Sequence, residues 1–404
     1  MSRSEGAPAR RLGGRFAEGL RRNVVALAVG GLLLVGLLLL PNLTPAPETP
    51  PPVDLARGRI VAFMPDPEDP TLPDVVVEVL QGPLAGQQLE GYLQGPAGQQ
   101  LLPDYRVGDE VVVSLSEGPE STFVAVSDRY RVPLFALVIG LFAVGVTVVG
   151  GWRGVRSLLA LALTLAVVGK VVVPLLLRGW DPVLLAVVAG TAVTLVTILL
   201  TEGLRLTSFA AVAGTSAALL LTAVLAAVVS GLAGFTEYQG QEAAVFLQSM
   251  GRPDLDISGL LLAAVIFGAI GVLDDVTVTQ AAAVNELAAA EPGAARMTLF
   301  MRAMNVGRSH IAATVNTLVL AYLGASLPLL VLFALGGADP LLIASGEIVA
   351  VEVIRAVVGS IGIVAAVPFT TAIAVLAVGS GPWRTATAEL RRERNRSRLP
   401  SPPS

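Results

Sequence analysis

The chain has 404 residues, of which 54% are hydrophobic and only 14% charged, with a formal net charge of −4. Soluble globular proteins carry about 25% charged residues, so this composition excludes a pair of soluble domains, a disordered chain and a nucleic-acid-binding protein. With no cysteine and one histidine, it also excludes disulfide frameworks, thiol catalysis, cysteine-based zinc sites and multi-histidine metal centres.

The first apolar block is Asn23–Leu40, preceded by Arg3, Arg10, Arg11, Arg15, Arg21 and Arg22. That order resembles a secretory signal. However, Pro41-Asn42-Leu43-Thr44-Pro45 stands where a small-residue cleavage site belongs, so an uncleaved anchor helix is expected. Residues 41–132 form the one long polar stretch. It opens with a Pro-rich spacer, Pro41 to Pro52. Short β-like runs follow at Gly58–Met64, Asp74–Leu80, Gln87–Leu93, Asp109–Leu115 and Thr122–Ser127. Gly82-Pro83, Gly95-Pro96 and Gly118-Pro119 punctuate them. Five such strands predict a small barrel of the oligonucleotide/oligosaccharide-binding (OB) shape. The stretch holds 14 acidic and 5 basic residues, a net of −9, which gives an acidic surface that repels anions.

Seven further apolar blocks follow, at Pro133–Gly150, Val155–Leu177, Val183–Thr201, Ser208–Val229, Ser258–Leu273, Ile311–Leu335 and Ala356–Gly379. The expected fold is an α-helical polytopic membrane protein of about eight transmembrane helices. The small β domain lies between helices 1 and 2, outside the cytoplasm. Arginine placement orients it. The six N-terminal arginines join Arg153, Arg156, Arg205, Arg296, Arg302, Arg308, Arg384, Arg391, Arg392, Arg394, Arg396 and Arg398 on one side. That is 18 of the 27 basic residues. Positive charge stays in the cytoplasm during insertion, so a multi-pass protein of the bacterial plasma membrane with both termini cytoplasmic is expected. The divisions are a basic N-terminus (1–22), the first span (23–40), the outer linker and β domain (41–132), a seven-helix membrane domain (133–380) and a basic tail (381–404). The tail is expected to lie against anionic lipid heads.

Ionisable groups within the hydrocarbon cost roughly 2.5–3.5 kcal/mol each on insertion, so those that remain are site candidates. Asp274 and Asp275 come first. Gly259–Leu273 supplies 15 apolar residues, about 22 Å of helix against a hydrocarbon layer of about 30 Å. A helix that continues through Val276-Thr277-Val278-Thr279 carries both aspartates into the low-dielectric layer. Mutual repulsion and lost hydration there favour a bound proton. Asp275, Thr279, Ala282 and Glu286 share one helix face and Asp274 and Asn285 another, so the pair points in two directions. The competing reading ends the span at Leu273 and makes the aspartates caps of a cytoplasmic helix.

On the next helix Asn305, Ser309, Ala312 and Asn316 form a stripe flanked by Arg308. Asn316, inside an apolar block, requires a partner on a neighbouring helix. Arg308 either reaches Asp274 or Asp275 as a counter-ion or snorkels to water. His310 lies off the stripe and is expected to be an interfacial spectator. Lys170, the sole lysine, either snorkels toward the outer face past Pro174 or takes part in an internal ion pair. Glu352 and Arg355 have the i, i+3 spacing of a helix salt bridge, and Pro368 is expected to kink the last span.

Catalytic signatures are missing. There is no His-Glu-x-x-His, phosphate-cradling Gly-Lys-Ser/Thr or Gly-x-Gly-x-x-Gly motif. Gly324-Ala325-Ser326-Leu327 matches an intramembrane serine motif only formally, with His310 more than four turns away. No catalytic, cofactor-binding or metal-ligating residues are assigned, and an enzyme is not expected.

Three stretches together resemble the YibE/F family of bacterial polytopic membrane proteins. One runs from Gly268-Ala269 through Asp275 to Glu286-Leu287. The second is Met304-Asn305-Val306-Gly307-Arg308 with Asn316-Thr317-Leu318-Val319-Leu320-Ala321-Tyr322 and Leu327-Pro328. The third is Glu352 with Arg355, Gly359-Ser360-Ile361-Gly362 and Pro368. The outer domain fits as well, through Gly82 to Gly86, Gly108-Asp109 and Asp128-Arg129-Tyr130-Arg131. The resemblance implies Asp275, Glu286, Asn305, Arg308, Asn316, Glu352 and Arg355 as polar motif positions. It implies no activity. Ser309 departs from the family pattern, which places an acid after the Gly-Arg step.

Two functions are carried forward. One is a permease-like transporter of a small solute or ion, with proton coupling through Asp274 and Asp275. The other is a non-transporting scaffold or accessory protein whose outer β domain binds an envelope protein. The lipid bilayer is the partner in both, and nucleic acid in neither.

Overall fold

The computed structural model describes residues 24–41, 54–64, 74–93, 105–117, 122–234, 256–335 and 339–378. The basic N-terminus, most of the Pro-rich spacer, the Gly95-Pro96 and Gly118-Pro119 turns and the tail 381–404 lie outside the described residues. The chain divides into two compact units, Ala46–Val149 and Met1–Pro45 with Gly150–Ser404.

The smaller unit contains a closed barrel of β1 (Asp54–Met64), β2 (Asp74–Val79), β3 (Gln88–Leu93), β4 (Glu110–Glu117) and β5 (Thr122–Arg129). The strand order is β1-β2-β3-β5-β4. β4 closes onto β1, and β3 and β5 are the parallel pair. Side chains alternate between the two faces of a strand, which places Val75, Val77, Val111, Val113, Val124 and Val126 in one core with Ile60 and Tyr105. β3 approaches β5 closely because Gly91 has no side chain; a Cβ there would run into the backbone oxygen of Val124. Ion pairs run along the outer surface. Arg57 on β1 donates from Nε to Glu110 on β4 at 3.1 Å and stacks on Tyr130 at 4.4 Å. Arg131 pairs with Asp128 at 2.7 Å. The hydrogen bond from Arg57 holds the Glu110 carboxyl below its ordinary value, and Arg131 does the same to Asp128.

The remaining described chain is helical: α1 (Val24–Leu39), α2 (Val132–Leu176), α3 (Pro182–Thr201), α4 (Leu206–Ala233) and α5 (Ile257–Ala290). After these come α6 (Arg296–Ala325), α7 (Leu327–Leu335), α8 (Pro340–Ser345) and α9 (Glu347–Val378). Among the described residues, α2, α3, α4, α5 and α9 are the five helices long and apolar enough to cross a membrane, and α1 is a shorter apolar helix.

Two of the expected spans have other outlines in the structure. The second and third expected spans follow one another within the 45-residue stretch α2 as two helices that meet at a kink. The stretch is interrupted at Gly151, whose φ of 54° and ψ of −138° suit glycine and little else. The seventh expected span is divided. α6 begins at Arg296, far upstream of the apolar block, and breaks at Ser326 before α7.

Local chemistry sets several boundaries. Asp181 accepts a bond from the Leu184 amide at 2.7 Å with Pro182 in the first turn, a strong start for α3. Asp256 does the same for α5 through the Gly259 amide at 2.7 Å. In α2, Pro174 has no N–H for the Lys170 carbonyl and its ring crowds that oxygen. The chain widens there into a π turn, Val168–Val172, in which the Val173 amide bonds to the Val168 carbonyl.

The bundle core lies where α4, α5 and α9 meet, at Leu219, Ala223, Ile266, Ala269, Leu273, Ile363 and Ala366. Helices in lipid associate by close packing between small residues rather than by escape from water. At the α4–α9 contact, a Cβ on Gly214 would strike Thr370, including its backbone Cα at 3.0 Å.

Gly214→Ala is therefore expected to destabilise the detergent-solubilised protein by about 1–3 kcal/mol, seen as a lower thermal midpoint. Gly231→Ala on the same helix, with nothing within 4 Å of the added carbon, leaves the midpoint unchanged. A second expectation concerns the barrel. Because the folded-state carboxyl of Glu110 lies below the usual 4.5, its stabilising effect is complete above 4.5 and is lost as pH falls through the lower folded value. Intrinsic-rate-corrected hydrogen exchange in β1 and β4 should accelerate below that point, and Glu110→Gln should flatten the dependence.

Candidate functional site

α5 runs without a break through Leu273, Asp274 and Asp275. The reading in which the aspartates cap a new helix after Leu273 is thereby set aside. Asp274 lies about 26 Å along the helix from Ile257 and turns toward α3. Thr194 donates to Oδ1 at 2.9 Å and Thr197 to Oδ2 at 3.3 Å. Thr215 of α4 is a third hydroxyl partner of this carboxylate. It also shares a 2.7 Å hydrogen bond with Thr277, and Thr277 bonds the Asp274 carbonyl at 3.3 Å. Thr194, Thr215 and Thr277 are fully buried. Among the described residues, no basic side chain pairs with Asp274.

Asp275 points elsewhere. Its side chain is 74% exposed, and its nearest basic neighbour is His310, with Nε2 3.8 Å away. The only histidine, expected to be a spectator, is thus the group facing the second aspartate.

Glu286 lines a cleft of about 100 Å³ between α3, α4 and α5, with Glu202, Arg205, Thr207, Ser208 and Asn285 as its polar walls. Ile198 and Val278 also line it. Each is one helical turn from the carboxylate cluster, since Ile198 follows Thr194 and Val278 follows Asp274 by four residues. The cleft and the buried carboxylate therefore lie along the same pair of helix faces.

The α6 stripe does not join them. α6 buries Leu299, Ala303, Gly307 and Leu318, while Asn305, Ser309 and Asn316 lie on its exposed side. Asn316 makes no hydrogen bond among the described residues, so the expected partner on a neighbouring helix is not found. The cause is rotational, since Asn316 falls about 180° from the packed face. Arg308 bonds Asn305 at 3.0 Å and neither aspartate. Ser309, where the family pattern has an acid, donates to the Val306 carbonyl of its own helix at 2.8 Å.

Glu352 and Arg355 form the i, i+3 pair on α9 at 3.2 Å, both largely buried. Tyr322 of α6 lies within their electrostatic reach, and its hydroxyl rests over Gly268 of α5. The eight candidate residues thus occupy several places, and only Asp274 sits in an enclosed polar cluster. Sequence reasoning missed Thr194, Thr197, Thr215 and Thr277, and also Gln280, which donates to the Ala303 carbonyl at 2.9 Å and to Thr371 at 2.7 Å. A signal was present on α3, where Thr194, Thr197 and Thr201 recur at i, i+3 and i+7 on one face of an otherwise aliphatic helix.

A helical bundle with several membrane-length apolar helices, a small β-barrel and a buried acid defines a multi-pass membrane protein. The family model of YibE/F-like proteins matches residues 138–380, and the chain belongs to the YibE/F family. No curated protein matches it, and neither does any solved structure.

Single-cysteine labelling separates the cleft from the enclosed cluster, without background because the chain has no cysteine. In membranes open on both faces, Glu286→Cys is expected to react with a water-soluble maleimide at least roughly tenfold faster than Asp274→Cys, as thiolate access dictates. Equal rates would show Asp274 to be in open water.

Proposed function

We propose that this protein is a permease-like transporter, moving a small solute or ion with cation coupling at Asp274. The supporting observation is the Asp274 carboxylate, set among buried hydroxyls and without a basic partner among the described residues. A structural acid inside a bundle is ordinarily paired with a base, because an unpaired charge there is costly. A carboxylate surrounded by hydroxyl groups instead can take up and release a positive charge. The cleft that holds Glu202 and Glu286 supports the reading, because it brings polar walls to within one turn of the cluster.

In this reading both termini are cytoplasmic, the barrel lies outside the plasma membrane, and the cleft opens to the cytoplasm beside Arg205. Coupling narrows from the aspartate pair to Asp274, since Asp275 faces away. The protein has no enzymatic role. A second reading, a scaffold with an envelope protein bound at the barrel, draws its support from the closed five-stranded domain, an architecture used for binding extended ligands.

Reconstituted protein on a solid-supported membrane, given jumps of a panel of inorganic ions and small solutes, tests the choice. Asp274→Asn is expected to reduce the transport current by roughly tenfold or more, with Asp275→Asn close to wild type. Currents equal in wild type and Asp274→Asn remove the coupling role. No current for any member of the panel favours the scaffold.

A further inference from the structure

We infer that the Asp274 cluster is a binding site for a small monovalent metal cation of the sodium class. The inference rests on the transporter reading above and names its coupling ion. Every polar atom in the cluster is an oxygen: the two carboxylate oxygens of Asp274 and the hydroxyls of Thr194, Thr197, Thr215 and Thr277. Hard cations select such a donor set. One carboxylate supplies one negative charge, which a monovalent ion neutralises; a divalent ion would leave net charge within the bundle.

The hydroxyls are suited to exchange. Each has one proton and two lone pairs. Without the ion they donate to the carboxylate, as Thr194 does at 2.9 Å and Thr197 at 3.3 Å. With the ion their lone pairs must turn toward it, and the protons need other acceptors. Two acceptors are already in reach: the Thr194 carbonyl lies 3.1 Å from the Thr197 hydroxyl and the Asp274 carbonyl 3.3 Å from that of Thr277. The cluster therefore switches from solvating an anion to coordinating a cation by hydroxyl rotation. A proton would need one acceptor lone pair and no such set of three hydroxyls about the carboxylate.

The cleft supplies the chemistry of entry. Glu202 and Glu286 raise the local cation concentration at its walls, with Arg205 opposing them. Ile198 and Val278 form the apolar step between cleft and cluster.

The experiment is a thermal melt of the purified full chain in NaCl, KCl and choline chloride at equal ionic strength, paired with equilibrium binding of radioactive sodium. Sodium is expected to raise the midpoint above the other two salts, by an amount that grows with the logarithm of its concentration above the dissociation constant. Asp274→Asn abolishes the sodium-specific rise. Thr194→Val weakens the apparent sodium affinity by roughly tenfold, Thr194→Ser restores it, and Asp275→Asn leaves it intact. The serine and valine pair decides the matter should Asp274→Asn fail to fold. Equal rises in all three salts, or a sodium-specific rise that survives Asp274→Asn, overturns the assignment. Sodium binding without current under a sodium gradient overturns the transporter reading and leaves the site. An Asp274-dependent current without sodium binding does the reverse.

Discussion

A hydroxyl or carboxyl inside a low-dielectric bundle must find its hydrogen bond nearby, and the architecture of the helical unit follows from how each one does so. Most of its threonines and serines solve the problem alone. Thr164, Thr201, Ser216, Thr222, Ser360 and Thr371 all donate to the carbonyl one turn back on their own helix, and so can sit at any depth. Thr194 and Thr215 are different. Their hydroxyls reach across helices, to Asp274 and to Thr277. These crossing bonds tie α3, α4 and α5 together around one carboxylate. Thr197 adds a second bond from α3 to the same carboxylate, and Gln280 links α5 to the Ala303 carbonyl of α6 and to Thr371 of α9.

Packing supplies the other half. Thr222 sits against Gly362 and Thr370 against Gly214, so each polar side chain occupies space that a missing Cβ vacates. Thr370 is the exception to the bonding rule. Its hydroxyl is buried and has no hydrogen-bond partner among the described residues, an arrangement that costs about 1–3 kcal/mol. It lies where α4 and α9 pack most closely. Four residues of the motif stretches form a separate nucleus, with Tyr322, Gly268, Glu352 and Arg355 joining α6, α5 and α9. The acid cluster and the motif nucleus thus share α5 and little else.

Much of this was legible in the residues. The five strands were readable within a few positions, because alternation and Gly-Pro turns report a barrel locally. The long apolar helices were readable for the same reason, and the non-helical backbone of Gly151 parts the second expected span from the third within α2. The candidate site was half legible. An acid in an apolar block announces itself, and helical arithmetic separated Asp274 from Asp275. The hydroxyls around it did not announce themselves, since threonine is tolerated throughout membrane helices and only the approach of α3 to α5 gives Thr194 and Thr197 a purpose. Asn316 was misjudged for a related reason. Its depth was visible in the sequence, but which way α6 rolls was not.

The wide turn of α2 has an effect beyond accommodating Pro174. In a regular helix Val167 and Val172 would stand about 140° apart around the axis. The extra residue absorbed between Val168 and Val173 removes about 100° of that separation. Both valines then fall on one side, where they pack with Leu175 and Leu176 against Leu185 and Ala189 of α3. The imino acid thus acts as a phase shifter, re-aiming the last two turns of one helix so that they dock on the next.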